Sequence, residues 1–435
     1  MDIKLNLKKV IDLKGGENSH LRAELLQAVD ELGKPLGVDV FSPEKDLGAR
    51  ARVPGWTNIG DMSACLRTSV GLGDVYRESE TPHIAVAAKH TRPVVIANGR
   101  TQLEAVIKAI AGDLNSPFGG VWGFNTPLTR ETAAFFNRPD MFFEGMMAPD
   151  YEEGTVDKLK DKHKNRFLVR TGIIPPAGLN VLGYNLQPVV GGHYLKQTLE
   201  PRFDARKEAV VVTGNRGDSR IESLSKRLID DINFAGNAAI YLASNLVFFV
   251  HNGAIAGLGD GCGARTVAAE KARRMLEVSA YAALSEDTKE IWERVLFDTP
   301  FTRDDFTGIE KPLRLTAFSD AFYPKLDGFV ETAGLDRVYP SFSSRGVKYQ
   351  DKIGVVEQEV TFIPKRNNLN PEYDGNLIPA VVVQPGGSLG DKVINPIAER
   401  YRVKMVYTMT PEQYKRYQAG EKGITGRRFF GHIIM

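Results

Sequence analysis

The alternation of short apolar runs with helical patterns, joined by glycine-rich loops, constrains the fold of this chain more than any other feature. Residues 85–88 and 94–97 are strand-like, and residues 103–110 carry apolar side chains at helical spacing. Further strand patterns occupy residues 209–213, 246–250, 254–258, 380–384 and 405–408, and further helical patterns occupy 131–136, 151–164, 216–242, 267–284 and 391–400. This alternation predicts an α/β fold with ligand sites at the strand ends.

Length, charge and cysteine content narrow the class of protein. A chain of 435 residues exceeds one compact core, so we expect two or three domains or one duplicated unit. The formal charge of +2 gives no electrostatic reason to bind nucleic acid or an anionic membrane. Cys65 and Cys262, the two cysteines, cannot form a disulfide framework or a zinc site of several thiolates. With a charged N-terminus and no long apolar segment, we expect a cytoplasmic protein. Since two cysteines and scattered histidines offer no plausible zinc shell, we also expect that it needs no metal.

The densest glycine cluster spans residues 257–265, ahead of a helical pattern. Glycines allow close approach to a ligand, and helix N-termini bind anions. Gly259, Gly261 and Ala264 match the loose dinucleotide fingerprint. However, Asn252-Gly253 indicates that the preceding strand is the second arm of a hairpin, whereas the fingerprint requires a βαβ unit. A plain turn is therefore an alternative to a ligand loop.

Lys89-His90 follows an apolar strand pattern and is the strongest candidate for chemistry. Histidine is the usual general base near neutral pH, and an adjacent lysine can polarise an anionic oxygen. The competing interpretation is a charged pair that only decorates the surface.

Four further segments carry weaker signals. Asp113, in the loop of residues 113–120, could orient an amine, and residues 385–388 could offer backbone amides to a carboxylate or phosphate, although both sequences are also ordinary turns. Residues 319–324 combine aromatic side chains with an acid and could stack on a flat ring or simply pack in the core. Residues 428–432 place a cation near the chain end.

Read in order, these segments resemble the AICAR transformylase part of the bifunctional AICAR transformylase/IMP cyclohydrolase family. The similarity runs from about residue 14 to residue 432. The segments that resemble family motifs are Gly16–His20, Pro54–Asn58 with Asp61, Ala88–His90, Asp113–Gly119, Ala148-Pro149, Gly191-Gly192 with Gln197, Ser244-Asn245, Gly257–Arg265, Ser319–Pro324 with Asp327, Pro385–Ser388 with Asp391, and Arg428–His432.

The resemblance implies two cytidine-deaminase-like α/β units without the deaminase zinc, which we expect at residues 1–205 and 206–435. Residues 339–376 are predicted to be an insertion. It also implies a homodimer that forms active sites across its interface. The implied reaction moves a formyl group from 10-formyltetrahydrofolate to the 5-amino group of AICAR (5-aminoimidazole-4-carboxamide ribonucleotide). The family's cyclohydrolase domain would precede Gly16, and we expect it to be absent.

The same resemblance implies roles for individual residues. His90 would be the base, Lys89 would polarise the formyl oxygen, Asn245 would fix His90 or the carboxamide, and Asp113 would hold polar groups of the nucleotide. The remaining candidates are Asn58, Arg265, Phe322, Arg428 and His432 for the nucleotide, and Pro324, Asp327, Gly386 and Gly387 for the folate.

The chain departs from the family pattern at Lys14, Gly15, Ala243, Cys262 and Lys325. These departures keep two alternatives open: a non-catalytic nucleotide-binding relative, and an enzyme of the same fold with a changed donor or acceptor. An NAD-dependent oxidoreductase, based on the glycine cluster alone, is a more distant alternative.

Overall fold

In the computed structural model the chain forms two compact units. Unit 1 comprises Met1–Arg202 and Asp298–Thr307, and unit 2 comprises Phe203–Phe297 and Gly308–His432. The structure describes residues 6–18, 20–48, 53–139, 141–162, 166–180, 182–213, 218–311, 313–323, 326–338, 361–364, 377–388 and 390–429. None of the helices in these ranges combines the length and apolar character needed to cross a bilayer.

Unit 1 contains nine described strands, five of which lie side by side in one sheet, and four α-helices. Its strands are β1 (Asn6–Asp12), β2 (Glu24–Val29), β3 (His83–Lys89), β4 (Arg92–Gly99), β5 (Val121–Phe124), β6 (Gly145–Ala148), β7 (Phe167–Arg170), β8 (Tyr184–Val189) and β9 (His193–Thr198), and its helices are α1 (Trp56–Tyr76), α2 (Gln102–Gly112), α3 (Arg130–Phe136) and α4 (Thr155–Lys162). Strands β4-β3-β5-β6-β7 lie side by side in that order. β3 is antiparallel to both neighbours, whereas β5, β6 and β7 are parallel.

Unit 2 contains the second series of strands and helices. Its strands are β10 (Val210–Val211), β11 (Val247–His251), β12 (Ala254–Gly259), β13 (Thr316–Ser319), β14 (Leu335–Val338), β15 (Thr361–Pro364), β16 (Val381–Gln384) and β17 (Lys404–Tyr407), and its helices are α5 (Ala205–Glu208), α6 (Lys226–Ala239), α7 (Arg265–Glu277), α8 (Ala280–Glu286), α9 (Lys289–Val295), α10 (Leu326–Thr332), α11 (Asp391–Arg400) and α12 (Pro411–Gln418). Strands β12-β11-β13-β16-β17-β10 lie in that order. β11 is antiparallel to β12 and β13, and β13, β16 and β17 are parallel.

The two units share one connectivity. In each, a helix leads into an antiparallel hairpin, the hairpin's first strand also pairs antiparallel with the next strand, and two parallel strands follow. The first strands β3 and β11 are buried on both faces, which explains why their sequences are continuously apolar instead of alternating. The α/β fold class predicted from the sequence is confirmed.

Several predicted boundaries were wrong for local reasons. The pattern at residues 267–284 is broken because the Ser279 side chain caps a new helix, accepting a hydrogen bond from the backbone N–H of Ala282. The described part of 216–242 is α-helical only from Lys226 to Ala239, behind the N-cap Ser225. The predicted strand at 209–213 is reduced to β10. The glycine cluster begins inside β12, which includes Gly257 and Gly259. Glycine is needed at both positions because α7 packs so closely against them that a Cβ would overlap the backbone of α7.

The predicted insertion at residues 339–376 lies outside the described residues except for strand β15. β15 pairs antiparallel with β14, which immediately precedes the segment in the chain.

Candidate active site

Unit 1 presents Lys89 and His90 where β3 turns back into β4. Lys89 ends β3 and is the register partner of Arg92, so His90 and Thr91 form a two-residue turn. Their φ angles are 54° and 67°, both left-handed, as a type I′ hairpin turn requires. Neither residue is a glycine, and such strain costs about 1–3 kcal/mol per residue. The exposed His90 side chain therefore sits on a turn that its surroundings must hold in place.

Helix α1 supplies the group beneath this turn. The buried Asp61 carboxylate accepts a hydrogen bond of 2.6 Å from the backbone N–H of Thr91. Burial raises the pKa of Asp61 to about 6, against the lowering effect of the Thr91 N–H and the His90 charge. One helical turn earlier, the Asn58 side chain donates to the Glu144 carboxylate at 2.6 Å and accepts from the Gly55 N–H at 3.0 Å.

The loop after α2 meets the hairpin through Lys89. The Lys89 ammonium donates to the carbonyl of Phe118 at 2.8 Å, which ties the end of β3 to this loop. Asp113 caps the C-terminus of α2, and its carboxylate accepts the backbone N–H groups of Asn115 at 3.0 Å and Ser116 at 2.8 Å. One oxygen of Asp113 is thus already engaged in shaping its own loop.

In unit 2 the dominant feature is a buried ion pair. Arg265 is the first residue of α7, and its guanidinium donates to Asp320 at 2.7 Å and 3.2 Å and to the carbonyl of Phe322 at 3.3 Å. The fully buried Asp320 also accepts the Ser244 hydroxyl at 2.8 Å and the Leu246 N–H at 3.1 Å. This carboxylate joins three segments that the sequence had suggested separately.

Ala243 and Cys262, two positions where the chain departs from the family pattern, make their contacts here through backbone carbonyls. The Asn245 side chain donates to the carbonyl of Cys262 at 2.9 Å, and the Gly261 N–H donates to the carbonyl of Ala243 at 3.2 Å. These contacts do not depend on which side chains stand at positions 243 and 262.

The loop that contains Gly386 and Gly387 is built around Asp391. Its carboxylate accepts the N–H of Gly387 at 2.7 Å and the N–H of Ser388 at 3.0 Å. Both glycines have left-handed φ angles, 70° and 89°, and a Cβ on Gly386 would overlap the ring of Tyr407. The Gly387 amide, predicted to face a ligand carboxylate, is occupied by the protein's own carboxylate.

The remaining predicted residues divide between described and undescribed positions. The exposed Arg428 guanidinium lies 5.1 Å from the ring centre of Phe322, a cation–π distance. Pro324, Lys325 and His432 lie outside the described residues, and Asp327 is described only as a backbone position of α10.

Sequence reasoning missed the organising role of four carboxylates: Asp61, Glu144, Asp320 and Asp391. Asp61, Asp320 and Asp391 were recognised only as members of motifs, and nothing local marks Glu144, since its partner Asn58 is 86 residues away. Within the described ranges no three His, Cys, Asp or Glu side chains lie close enough to hold a metal ion.

Comparison with known proteins gives one consistent match. The family model described as "AICARFT/IMPCHase bienzyme" matches residues 1–275. Three relatives each bear the name "Bifunctional purine biosynthesis protein PurH". The one from Chlorobium phaeovibrioides is 32% identical over 269 residues, which is 62% of this chain and 46% of the relative. The one from Chlorobium phaeobacteroides strain BS1 is 31% identical over 273 residues, 62% of this chain and 47% of the relative.

The third, from Rhodopirellula baltica, is 29% identical over 260 residues, 59% of this chain and 45% of the relative. The matched part of the chain spans just under half the length of these relatives. It includes α1, Lys89, the His90-Thr91 turn and the start of α7, and it ends before Asp320. Because the family model covers well over half of the 435 residues of this chain, the chain belongs to the AICARFT/IMPCHase bienzyme family.

Proposed function

We propose that this protein transfers the formyl group of 10-formyltetrahydrofolate to the 5-amino group of AICAR in purine biosynthesis. The observation that carries the proposal is the His90-Thr91 turn at the end of the strand that carries Lys89, because it holds an ionisable exposed side chain on strained backbone beside a buried carboxylate. Strain of this kind concentrates at functional sites. Family membership and the names of the relatives support a role in purine biosynthesis.

The chemistry requires a base and a polarising group. The amine nitrogen of AICAR attacks the formyl carbon, and its lone pair is weakened by delocalisation into the imidazole carboxamide. His90 removes the amine proton as the C–N bond forms, which is worth roughly 10²–10⁴-fold in rate. Lys89 stabilises the oxyanion of the tetrahedral intermediate, because the Phe118 carbonyl engages only one of its three N–H donors. The folate nitrogen then leaves with the proton delivered from His90.

The other predicted residues bind the two substrates in this proposal. Asn58, Arg265, Phe322, Arg428 and His432 contact the nucleotide, and Pro324, Asp327, Gly386 and Gly387 contact the folate. Asn245 fixes His90 or the carboxamide, and Asp113 holds polar groups of the nucleotide. Asp320 orients Arg265, whose guanidinium also donates to the Phe322 carbonyl. We further propose that the shared connectivity reflects two cytidine-deaminase-like units, at residues 1–205 and 206–435, and that the protein acts in the cytoplasm as a homodimer without a metal.

A spectrophotometric assay tests the proposal. Purified protein mixed with AICAR and 10-formyltetrahydrofolate is expected to produce tetrahydrofolate and formyl-AICAR in equal amounts, with and without EDTA. AICAR binding measured calorimetrically, without turnover, would instead favour a non-catalytic nucleotide-binding relative. Turnover with a different formyl donor would correct the folate assignment while leaving the hairpin chemistry in place.

A further inference from the structure

Helix α1 holds the His90-Thr91 turn by two contacts. The Asp61 carboxylate accepts the Thr91 N–H at 2.6 Å. Gly60 lies so close to Thr91 that a Cβ there would overlap the γ-methyl of Thr91. Thr91 also donates its hydroxyl to the carbonyl of His90 at 2.6 Å. The residue after the histidine is therefore held by its amide and its methyl group, while the histidine side chain is exposed.

Unit 2 repeats the carboxylate part of this arrangement. Asp61 is the sixth residue of α1, and Asp231 is the sixth residue of α6. Asp231 accepts the N–H groups of Asn252 at 3.1 Å and Gly253 at 2.7 Å, the two residues of the β11–β12 turn. The same helix position thus anchors the same turn in both units, although their turn sequences are unrelated.

The two turns differ in how much they need the anchor. Asn-Gly is the preferred sequence for a type I′ turn, so β11–β12 adopts it from local preference. His-Thr is not, and a β-branched residue at positive φ is a marked exception. The left-handed backbone at residues 90 and 91 must therefore be imposed by tertiary contacts, and the Asp61 hydrogen bond is the charged one among them.

Building on the proposed function, we propose that Asp61 is a positioning residue that holds His90 in its catalytic orientation by anchoring the Thr91 amide. It acts through the backbone of the turn, not by contact with substrate. Its negative charge is secondary, because the contact that fixes the turn needs only an acceptor oxygen at this place. Asp61→Asn keeps such an oxygen, and Asp61→Ala removes it.

Turnover kinetics of three variants test the anchor. Asp61→Ala is expected to lower kcat by roughly 10–100-fold with the KM for AICAR nearly unchanged. A misplaced catalytic group stabilises the transition state less, whereas substrate binding in the ground state is not weakened. Asp61→Asn is expected to recover most of that loss. The matched control Asp231→Asn, at the same helix position in unit 2, is expected to turn over like the wild type. An Asp61→Asn variant as slow as Asp61→Ala would overturn the proposal and assign the role to charge.

Amide hydrogen exchange at Thr91, measured by NMR, separates this inference from the proposed function. Asp61→Ala is expected to accelerate exchange at Thr91 by about tenfold or more, and Asp61→Asn to preserve the protection. This result would support the anchor even if the wild type transfers no formyl group, in which case only the proposed function fails. Unchanged exchange in Asp61→Ala would overturn the anchor whatever the kinetics show.

Gly60→Ala gives an independent route if Asp61→Ala does not fold. The added methyl pushes Thr91 away while Asp61 is intact, so kcat is expected to fall. Adding Thr91→Ser to that variant removes the γ-methyl that the new Cβ meets, and turnover is expected to recover. Failure of the second substitution to restore any turnover would contradict the role assigned to this contact.

Discussion

Hairpin β3–β4 of unit 1 and hairpin β11–β12 of unit 2 occupy the same place in their strand orders, yet their turns carry different chemistry. The unit 2 turn is Asn252-Gly253, and the preceding His251 is fully buried, with its ring 3.0 Å from the carbonyl of Glu310. In unit 1 the turn is His90-Thr91, and the histidine is exposed. One scaffold therefore supports a relaxed turn with a buried histidine and a strained turn with an exposed one.

The difference between the two turns bears on which unit carries the proposed chemistry. A turn that follows local preference needs no special support, whereas the unit 1 turn keeps an unfavourable sequence that Asp61 and Gly60 must hold. Natural sequences depart from local preference mainly at functional or strained sites. The comparison therefore supports the proposal that proton transfer takes place at the unit 1 turn, with the unit 2 turn as a structural element.

Removing the ammonium of Lys89 should produce a large effect on rate. Lys89→Ala is expected to lower kcat by roughly 10²-fold or more, because it removes a donor to the developing oxyanion. Lys89→Arg is not expected to restore it, since the larger planar guanidinium cannot occupy the site of a compact ammonium. Arg92→Ala, on the opposite strand of the same rung, is the control and should keep kcat. An equal loss in Arg92→Ala would indicate a general effect of positive charge.

Exchanging the turn residues should reveal the strain. Gly253→Thr places a β-branched side chain at a φ of 69° and is expected to destabilise the protein by about 1–3 kcal/mol. Thr91→Gly relieves comparable strain but adds freedom to the unfolded chain, so the free energy of unfolding should change by less than about 1 kcal/mol. Urea denaturation measures both. Equal destabilisation by the two substitutions would remove the distinction between a relaxed and a strained turn.

The titration of Asp61 should produce a smaller, pH-dependent effect on stability. Its pKa is raised from 3.8 to about 6, chiefly by burial, with Glu144 raising it and the Thr91 N–H, His90 and Lys89 lowering it. The folded state therefore holds this proton more tightly than the unfolded chain. The stability that the protonated Asp61 adds to the folded state is fully present below pH 3.8 and is lost as the pH rises through about 6.

Thermal unfolding of the wild type and Asp61→Asn at a series of pH values checks this sign. The melting temperature of the wild type should fall relative to that of Asp61→Asn as the pH rises from about 4 to 7, and the difference should then level off. A difference that is constant over this range, or that runs in the opposite direction, would contradict a raised pKa.

The sequence predicted the elements that obey local rules. Asn252-Gly253 identified a tight hairpin from turn chemistry, and the helical pattern at residues 131–136 lies within α3. The chain reversal at His90-Thr91 was not predicted, because its residues disfavour the turn that tertiary contacts impose. Duplication was suggested by length and by family resemblance, and the common strand order becomes visible only in the structure.

Long-range pairing accounts for most of what the sequence could not supply. Asp320 and Arg265 are 55 residues apart, and the motif around Asp320 suggested aromatic stacking or core packing rather than an ion pair. The break at Ser279 is a different case, because this residue caps a new helix locally within an alanine-rich pattern that periodicity alone predicts to be one helix. Partners that are distant in the chain leave no periodic signal in either segment.

The central claim, that the unit 1 turn and not its unit 2 counterpart performs proton transfer, is tested most directly by kcat for two matched variants. His90→Ala and Asn252→Ala each place alanine at the first residue of a two-residue turn with positive φ. With AICAR and 10-formyltetrahydrofolate, His90→Ala should lose roughly 10²–10⁴-fold in kcat while AICAR affinity falls much less. Asn252→Ala should keep kcat near the wild-type value. Near-normal turnover in His90→Ala, or an equal loss in Asn252→Ala, would contradict the account.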